Sequence, residues 1–236
     1  MLKVFVTGFH ESVVCDSSSL ISLASVGHLP ALAFMRRYFP GEFVIGDEVK
    51  RECVDEPLKA RSHTLTALRL QLAMADGIVS VESPRGLSRR ADDVLWVANN
   101  LFYAGGRPLT IMHRGEAESV ALALELCVPN ILIDERTTRM LMEKPELLRQ
   151  HFGLELGREI LMNEKYAERF RRMTEGLQAF RSSELLILAY ERGYFARFGQ
   201  QERHALEASL YGVKFAGCSI GFSEIAEYAK AFARRE

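Results

Sequence analysis

Twice in this chain a short apolar run ends in an aspartate and passes directly into a helix-forming stretch. Val13-Val14-Cys15-Asp16 precedes SSSLISLASVG, and Ile131-Leu132-Ile133-Asp134 precedes ERTTRMLM. A strand apolar on both faces suits the middle of a parallel sheet, where crossover helices cover both sides. The alternation continues along the chain. Phe43-Val44-Ile45 stops at Gly46 before EVKRECV, with Asp47 as the expected cap and Pro57 as the stop. Ile78-Val79-Ser80-Val81 reads as a strand. Gly115 precedes EAESVALALELC, apolar on most faces and therefore a buried helix. The pattern predicts an α/β fold: three layers, α/β/α, around a mainly parallel central sheet, with inserted and C-terminal helices.

The remaining segments give coarser expectations. Val4-Phe5-Val6 is a short strand candidate. LISLASVGHLPALAFMRRYF reads as helical up to Pro40-Gly41, capped by one of Ser17-Ser18-Ser19. Residues 60–76 form an amphipathic helix pattern and DDVLWVANNLFYA another, before a loop at Gly105-Gly106-Arg107-Pro108. Residues 163–180 are polar and helix-prone. Ser182-Ser183 caps ELLILAYERG, and further helices are expected near 200–211 and 222–234.

Composition places this chain among folded proteins. Its 236 residues are 48% hydrophobic and 26% charged, enough for one enlarged domain with a real core. The charge balance, 30 bases against 31 acids, lacks the basic excess of a general nucleic-acid binder. However, 23 of those bases are Arg, whose planar fork suits phosphate. Cys15, Cys53, Cys127 and Cys218 form no CxxC pair, so they read as buried free thiols rather than a disulfide frame or zinc site. No apolar run approaches the ~18 residues of a membrane span. The start, MLKVFVTGFHES, lacks the core and cleavage site of a signal peptide. The expectation is a cytoplasmic chain with no membrane partner.

The acids carry the chemical signal. In open parallel sheets, ligands bind beyond the carboxyl ends of the strands, where Asp16 and Asp134 stand. Two carboxylates there repel unless a cation or proton lies between them. Glu116 and Glu118 occupy the first turn of the buried helix. The helix N-terminus favours one acid there and does not require two. Residues i and i+2 point about 200° apart, so both reach one ion only in a distorted turn, and Glu116 is the stronger candidate. Glu52 lies near a helix C-terminus, an electrostatically misplaced position. Other chemistries lack their motifs: there is no GxxxxGK(S/T), GxGxxG, GxSxG, HxH or HExxH pattern. Among the histidines only His113 lies near an acid motif. Trp96, Phe102 and Tyr103 are expected to pack internally.

In order, VVCDSSSLISLASVG, VIGDEVKREC, RGEAESVALALEL and NILIDERTTRML resemble the four acidic motifs of PIN-domain nucleases. The similarity is greatest to a prokaryotic branch with a GEAEA-type third motif followed by an (I/L)IDxR strand end. The resemblance covers residues 12–140. It implies a PIN-like core over 12–160 with an insert at about 60–110, and a helical C-terminal extension over 161–236, all in one domain. Carried over, the metal-binding acids are Asp16, Glu52, Glu116 and Asp134, with Glu118 assisting. Ser18 orients the first carboxylate or binds phosphate. Arg114, Arg136 and Arg139 become candidate substrate contacts, beside a basic loop of Arg85, Arg89 and Arg90. The implied activity is Mg²⁺- or Mn²⁺-dependent hydrolysis of RNA phosphodiester bonds, leaving a 5′-phosphate and a 3′-hydroxyl. The implied partners are an antitoxin protein, as in toxin–antitoxin pairs, and a second copy of the chain. Three features depart from the pattern. Glu52 and Glu116 are 64 positions apart, an extra helical region lies near 155–180, and Gly46 stands where proline is usual. Two other readings compete: a non-catalytic PIN-like module that binds RNA or protein, and a haloacid-dehalogenase-like phosphatase. The phosphatase wants a second acid two positions after the first, where this chain has Ser18.

Overall fold

The computed structural model describes residues 12–38, 40–60 and 63–233. The strand expected at Val4–Val6, and His10, lie outside them. Five strands form one parallel sheet: β1 (Val13–Cys15), β2 (Phe43–Ile45), β3 (Val79–Val81), β6 (Asn130–Leu132) and β8 (Gln178–Phe180), in the order β3-β2-β1-β6-β8. The chain winds outward from β1 through β2 to β3, then returns to build β6 and β8 on the other side. That reversal is the switch point at which α/β sheets open a crevice. It falls between β1 and β6, the two strands followed by Asp16 and Asp134.

Alternation along the strands explains the layering. Val13, Cys15, Phe43, Ile45 and Leu132 enter one apolar core, while Val14, Val44, Ile131 and Ile133 enter another. Both sets are essentially solvent-free, so neither face of the sheet meets water at its central strands. The first core is closed by α1 (Ser17–Ser25), α2 (Pro30–Met35), α4 (Thr64–Ala75), α10 (Ser182–Glu191), α11 (Glu202–Phe215) and α12 (Phe222–Ala233). The second lies under α5 (Leu87–Asn99), α6 (Arg114–Glu125), α7 (Arg136–Glu143), α8 (Pro145–Leu156) and α9 (Glu164–Met173). The result is the expected three-layer α/β/α arrangement. No single helix among the described residues is long and apolar enough to cross a membrane.

Several local expectations are corrected. The apolar stretch after Ser19 is two helices, α1 and α2, bent by 106°, because Gly27 takes a left-handed backbone (φ 76°) before Pro30 opens α2. Residues 163–180 are not one helix. After α9 the chain turns at Gly176 into β8, so the expected helical extension supplies the fifth strand of the main sheet. Likewise β3, inside the expected insert, is the opposite edge strand. Phe102-Tyr103-Ala104 is strand β4, not the end of a helix. It forms a hairpin with β5 (Arg107–Pro108) across Gly105-Gly106, both at positive φ, which is the two-residue turn that matches strand twist. β7 (Ile160–Met162) completes this small antiparallel sheet. Cys15, Cys53 and Cys218 are buried free thiols as expected, whereas Cys127 is exposed.

Candidate active site

Register brings the functional segments to one edge. Cys15 pairs with Leu132, Ile45 with Val81, and Leu132 with Phe180. The residues that follow, Asp16, Gly46, Ile133-Asp134 and Arg181, therefore line the carboxyl edge of the sheet. Asp16 is 1% exposed and is the N-cap of α1, the role expected of a serine. Its Oδ2 accepts from the Ser18 backbone N–H (3.0 Å) and Ser18 Oγ (2.5 Å), and its Oδ1 accepts from Ser119 Oγ (3.2 Å). The Ser18 hydroxyl also accepts from the Asp134 backbone N–H at 3.1 Å, which ties the ends of β1 and β6 together.

Glu52 and Glu116 lie half-buried near Asp16. Glu52 follows α3 (Asp47–Lys50) in a wide turn, Arg51–Asp55, closed by an i→i+5 bond from the Glu56 N–H to the Arg51 carbonyl. Such wide turns are frequent at functional sites. Ser17 Oγ donates to Glu52 Oε2 at 3.0 Å. Glu116 Oε2 accepts from the His113 backbone N–H at 2.7 Å, the reciprocal contact of a helix start. Burial raises the pKa of Asp16, Glu52 and Glu116 above the ordinary carboxylate range. The negative charge of Asp16 raises Glu52 and Glu116 further. None of these three acids has an ion-pair partner among the described residues.

Glu118 and Asp134 have other partners. Glu118 Oε2 accepts from the backbone N–H groups of Glu48 (2.8 Å) and Val49 (3.3 Å), so it caps α3 from a distant helix in place of Asp47. A Cβ at Gly46 would lie 2.2 Å from that oxygen, which accounts for glycine where proline was expected. Asp134 is fully buried. Its Oδ1 accepts from the Ser182 N–H and its Oδ2 from Ser182 Oγ, both at 2.7 Å, so an acid rather than Ser182-Ser183 satisfies the start of α10.

The candidate arginines also differ from one another. Arg114 is paired with Asp92 and donates to Ser88 Oγ (3.0 Å). Arg136 Nε reaches only the Met140 sulfur, at 3.2 Å. Arg139 Nε is buried without a hydrogen-bond partner. Sequence reasoning missed Ser17, Ser119 and Ser182, each of which holds a carboxylate. It also missed Arg181, 4% exposed and clasped by Glu184 and Glu224. Ser119 had a usable signal, because it lies three positions after Glu116 and so shares its helix face.

The donor set is oxygen-only, which suits a hard divalent cation. Among the described residues no three His, Cys, Asp or Glu side chains are already gathered on one point. Asp16, Glu52 and Glu116 fit such an ion by chemistry and by the lack of an ion-pair partner among the described residues, while Ser182 takes both oxygens of Asp134 and the Glu48 and Val49 N–H groups take Oε2 of Glu118. No family model, curated protein or solved structure matches this chain.

A glycine beside the site offers a selective probe. A Cβ on Gly115 would lie 2.5 Å from Glu52 Oε2. The obstruction is the tip of a flexible side chain, so Gly115→Ala moves the carboxylate rather than the backbone. Alanine in a helix also gains roughly 0.5–1 kcal/mol over glycine. If these acids form a catalytic centre, the expected result is an unchanged or higher melting temperature with activity reduced about 10²-fold, the scale of a small misplacement there, checked by thermal melts and an activity assay on the same preparation.

Proposed function

We propose that the chain is a metal-dependent ribonuclease of the PIN kind. One observation carries this reading: the charge of Asp16 acts on both Glu52 and Glu116, none of the three has an ion-pair partner among the described residues, and Asp16 stands at the switch point of a parallel sheet. Holding like charges together costs stability, and binding a divalent cation would relieve it. Asp16, Glu52 and Glu116 would hold Mg²⁺ or Mn²⁺. A bound ion there supplies an activated water and screens the charge that develops on the attacked phosphate.

The residues of the chain set up the rest. Ser18 and Ser119 orient the Asp16 carboxylate, and Ser17 orients Glu52. Asp134 locks α10 to the end of β6, and Glu118 holds α3 so that the wide turn presents Glu52. No side chain needs to act as a nucleophile. The phosphatase reading fits less well, because the position two after Asp16 is Ser18, whose hydroxyl serves Asp16.

The test is cleavage of labelled single-stranded RNA by the wild-type chain. Mn²⁺ or Mg²⁺ is expected to support cleavage and EDTA to stop it. The same ions should raise the melting temperature, since a ligand at 100 times its Kd adds about 2.7 kcal/mol to the folded state. Cleavage that persists in EDTA would remove the ion from the reaction.

A further inference from the structure

The outer face of α5 carries an aromatic side chain for which the fold has no use. Trp96 was expected to pack internally, yet it is 59% exposed. The opposite face of the same helix, Leu87, Ala91, Val94, Val97 and Ala98, is the buried one. Arg89, Asp92, Asp93 and Trp96 follow the i, i+3, i+4, i+7 spacing of a single outward stripe.

Trp96 lines a groove of about 770 Å³ walled by Arg89, Arg90 and Arg169. A second groove, of about 710 Å³, shares Gly86 and Arg89 with it and extends past Arg85 to Arg114 and Glu118 of α6 and to Asp47, Glu48 and Arg51 of the α3 segment. The two grooves therefore make one trough from the start of α3 and Glu118 to Trp96; Asp16, Glu52 and Glu116 do not line it. Its cations fall into two groups. Arg90, Arg114 and Arg169 are paired with Glu125, Asp92 and Asp93, and Arg51 with Glu48 and Glu56. Arg85 and Arg89, where the grooves meet, have no hydrogen-bond or ion-pair partner among the described residues. An exposed indole with unpaired guanidinium groups at its side is the combination that binds single strands: bases stack on the ring while phosphates lie against arginine.

We propose that this trough seats a single-stranded polynucleotide, with one base on Trp96 and a phosphate at Arg85 and Arg89. The identity of the strand as RNA rests on the ribonuclease reading; the trough itself does not. Stacking tolerates any base, so the subsite adds affinity rather than sequence choice.

Trp96 is the only tryptophan in the chain, so its fluorescence reports this one place. The experiment titrates the full-length Asp16→Asn protein, in EDTA, with a mixed-sequence oligoribonucleotide of about a dozen nucleotides. DNA of the same sequence and poly-glutamate are run as parallel arms. Saturable quenching by the oligoribonucleotide is expected, with the same midpoint by fluorescence anisotropy. Trp96→Ala, exposed and safe for folding, should weaken binding about 10-fold. Arg89→Ala should weaken it and lower the slope of log affinity against log salt by about one. Equal quenching by DNA would keep the trough and leave its strand unspecific. Equal quenching by poly-glutamate would overturn the proposal in favour of an acidic protein partner. Oligonucleotide binding without quenching, unchanged in Trp96→Ala, would also overturn it. Cleavage by the wild-type chain is scored separately. Quenching without cleavage leaves the trough and removes the ribonuclease; cleavage without quenching does the reverse.

Discussion

Asp16→Asn is expected to abolish cleavage of RNA while raising the melting temperature. The two effects have one cause. Asp16 is 1% exposed, without an ion-pair partner among the described residues, and it repels Glu52 and Glu116. Asparagine keeps an oxygen to accept from the Ser18 N–H, so α1 keeps its cap. What disappears is the buried charge. Its loss removes the charge that would hold a divalent ion, and ion stabilisation worth several kcal/mol corresponds to about 10³-fold in rate. Each kcal/mol regained in the fold shifts the melting temperature by roughly 2–4 °C in a chain of this size. A residue whose conservative replacement stabilises the fold and destroys activity is held there for chemistry, not for folding.

The dependence on pH has a definite sign. Asp16, Glu52 and Glu116 all have folded-state pKa values above the ordinary carboxylate range. The folded state therefore binds their protons more tightly than the unfolded state. Stability from these groups rises as the pH falls through their folded pKa values, and the gain is complete below the ordinary unfolded values near 4. Melts of the wild-type chain across that window should show this rise against any general acid destabilisation. In Asp16→Asn the rise should shrink, because one titrating group is gone and its two neighbours lose a repelling charge. Cleavage should follow the opposite course, falling as the same carboxyls take up protons.

Much of this site was legible because strand chemistry is local. Apolar runs ending in Asp16 and Asp134 announce a parallel sheet with acids at its carboxyl edge, and Glu116 opens a helix whose apolar body must be buried. What escaped was non-local. Glu118 and Glu116 are two positions apart and look alike in sequence, yet one caps α3, 70 residues away, and the other stays near Asp16. Only the approach of α6 to Gly46 decides between them. β8 escaped because Gln178-Ala179-Phe180 is a short edge strand, one partner deep, with no apolar run to mark it. Trp96 escaped because composition puts tryptophan inside by default, while the helix phase that turns it outward depends on where α5 begins.

The second large effect concerns Asp134, and there the outcome depends on which residue replaces it. Asp134→Ala leaves the Ser182 N–H and hydroxyl without an acceptor at a position with no access to water. Each orphaned buried donor costs about 1–3 kcal/mol, so a loss near 3 kcal/mol is expected, or roughly 6–12 °C in melting temperature. Asp134→Asn behaves differently. Its carbonyl oxygen still accepts from the Ser182 N–H, and its amide donates to Ser182 Oγ, which can accept. The amide also carries no buried charge, and burial raises the pKa of this carboxyl as well. Stability should therefore match the wild type or exceed it. Because both oxygens of Asp134 serve Ser182 rather than facing the Asp16 centre, Asp134→Asn should keep cleavage within about 10-fold of the wild type, the scale of a positioning residue. Thermal melts of both variants, run with the cleavage assay used for Asp16→Asn, decide the matter. If Asp134→Asn is as inactive as Asp16→Asn while equally stable, the Asp134 carboxylate leaves Ser182 in the working enzyme and joins the three acids across the β1–β6 crevice.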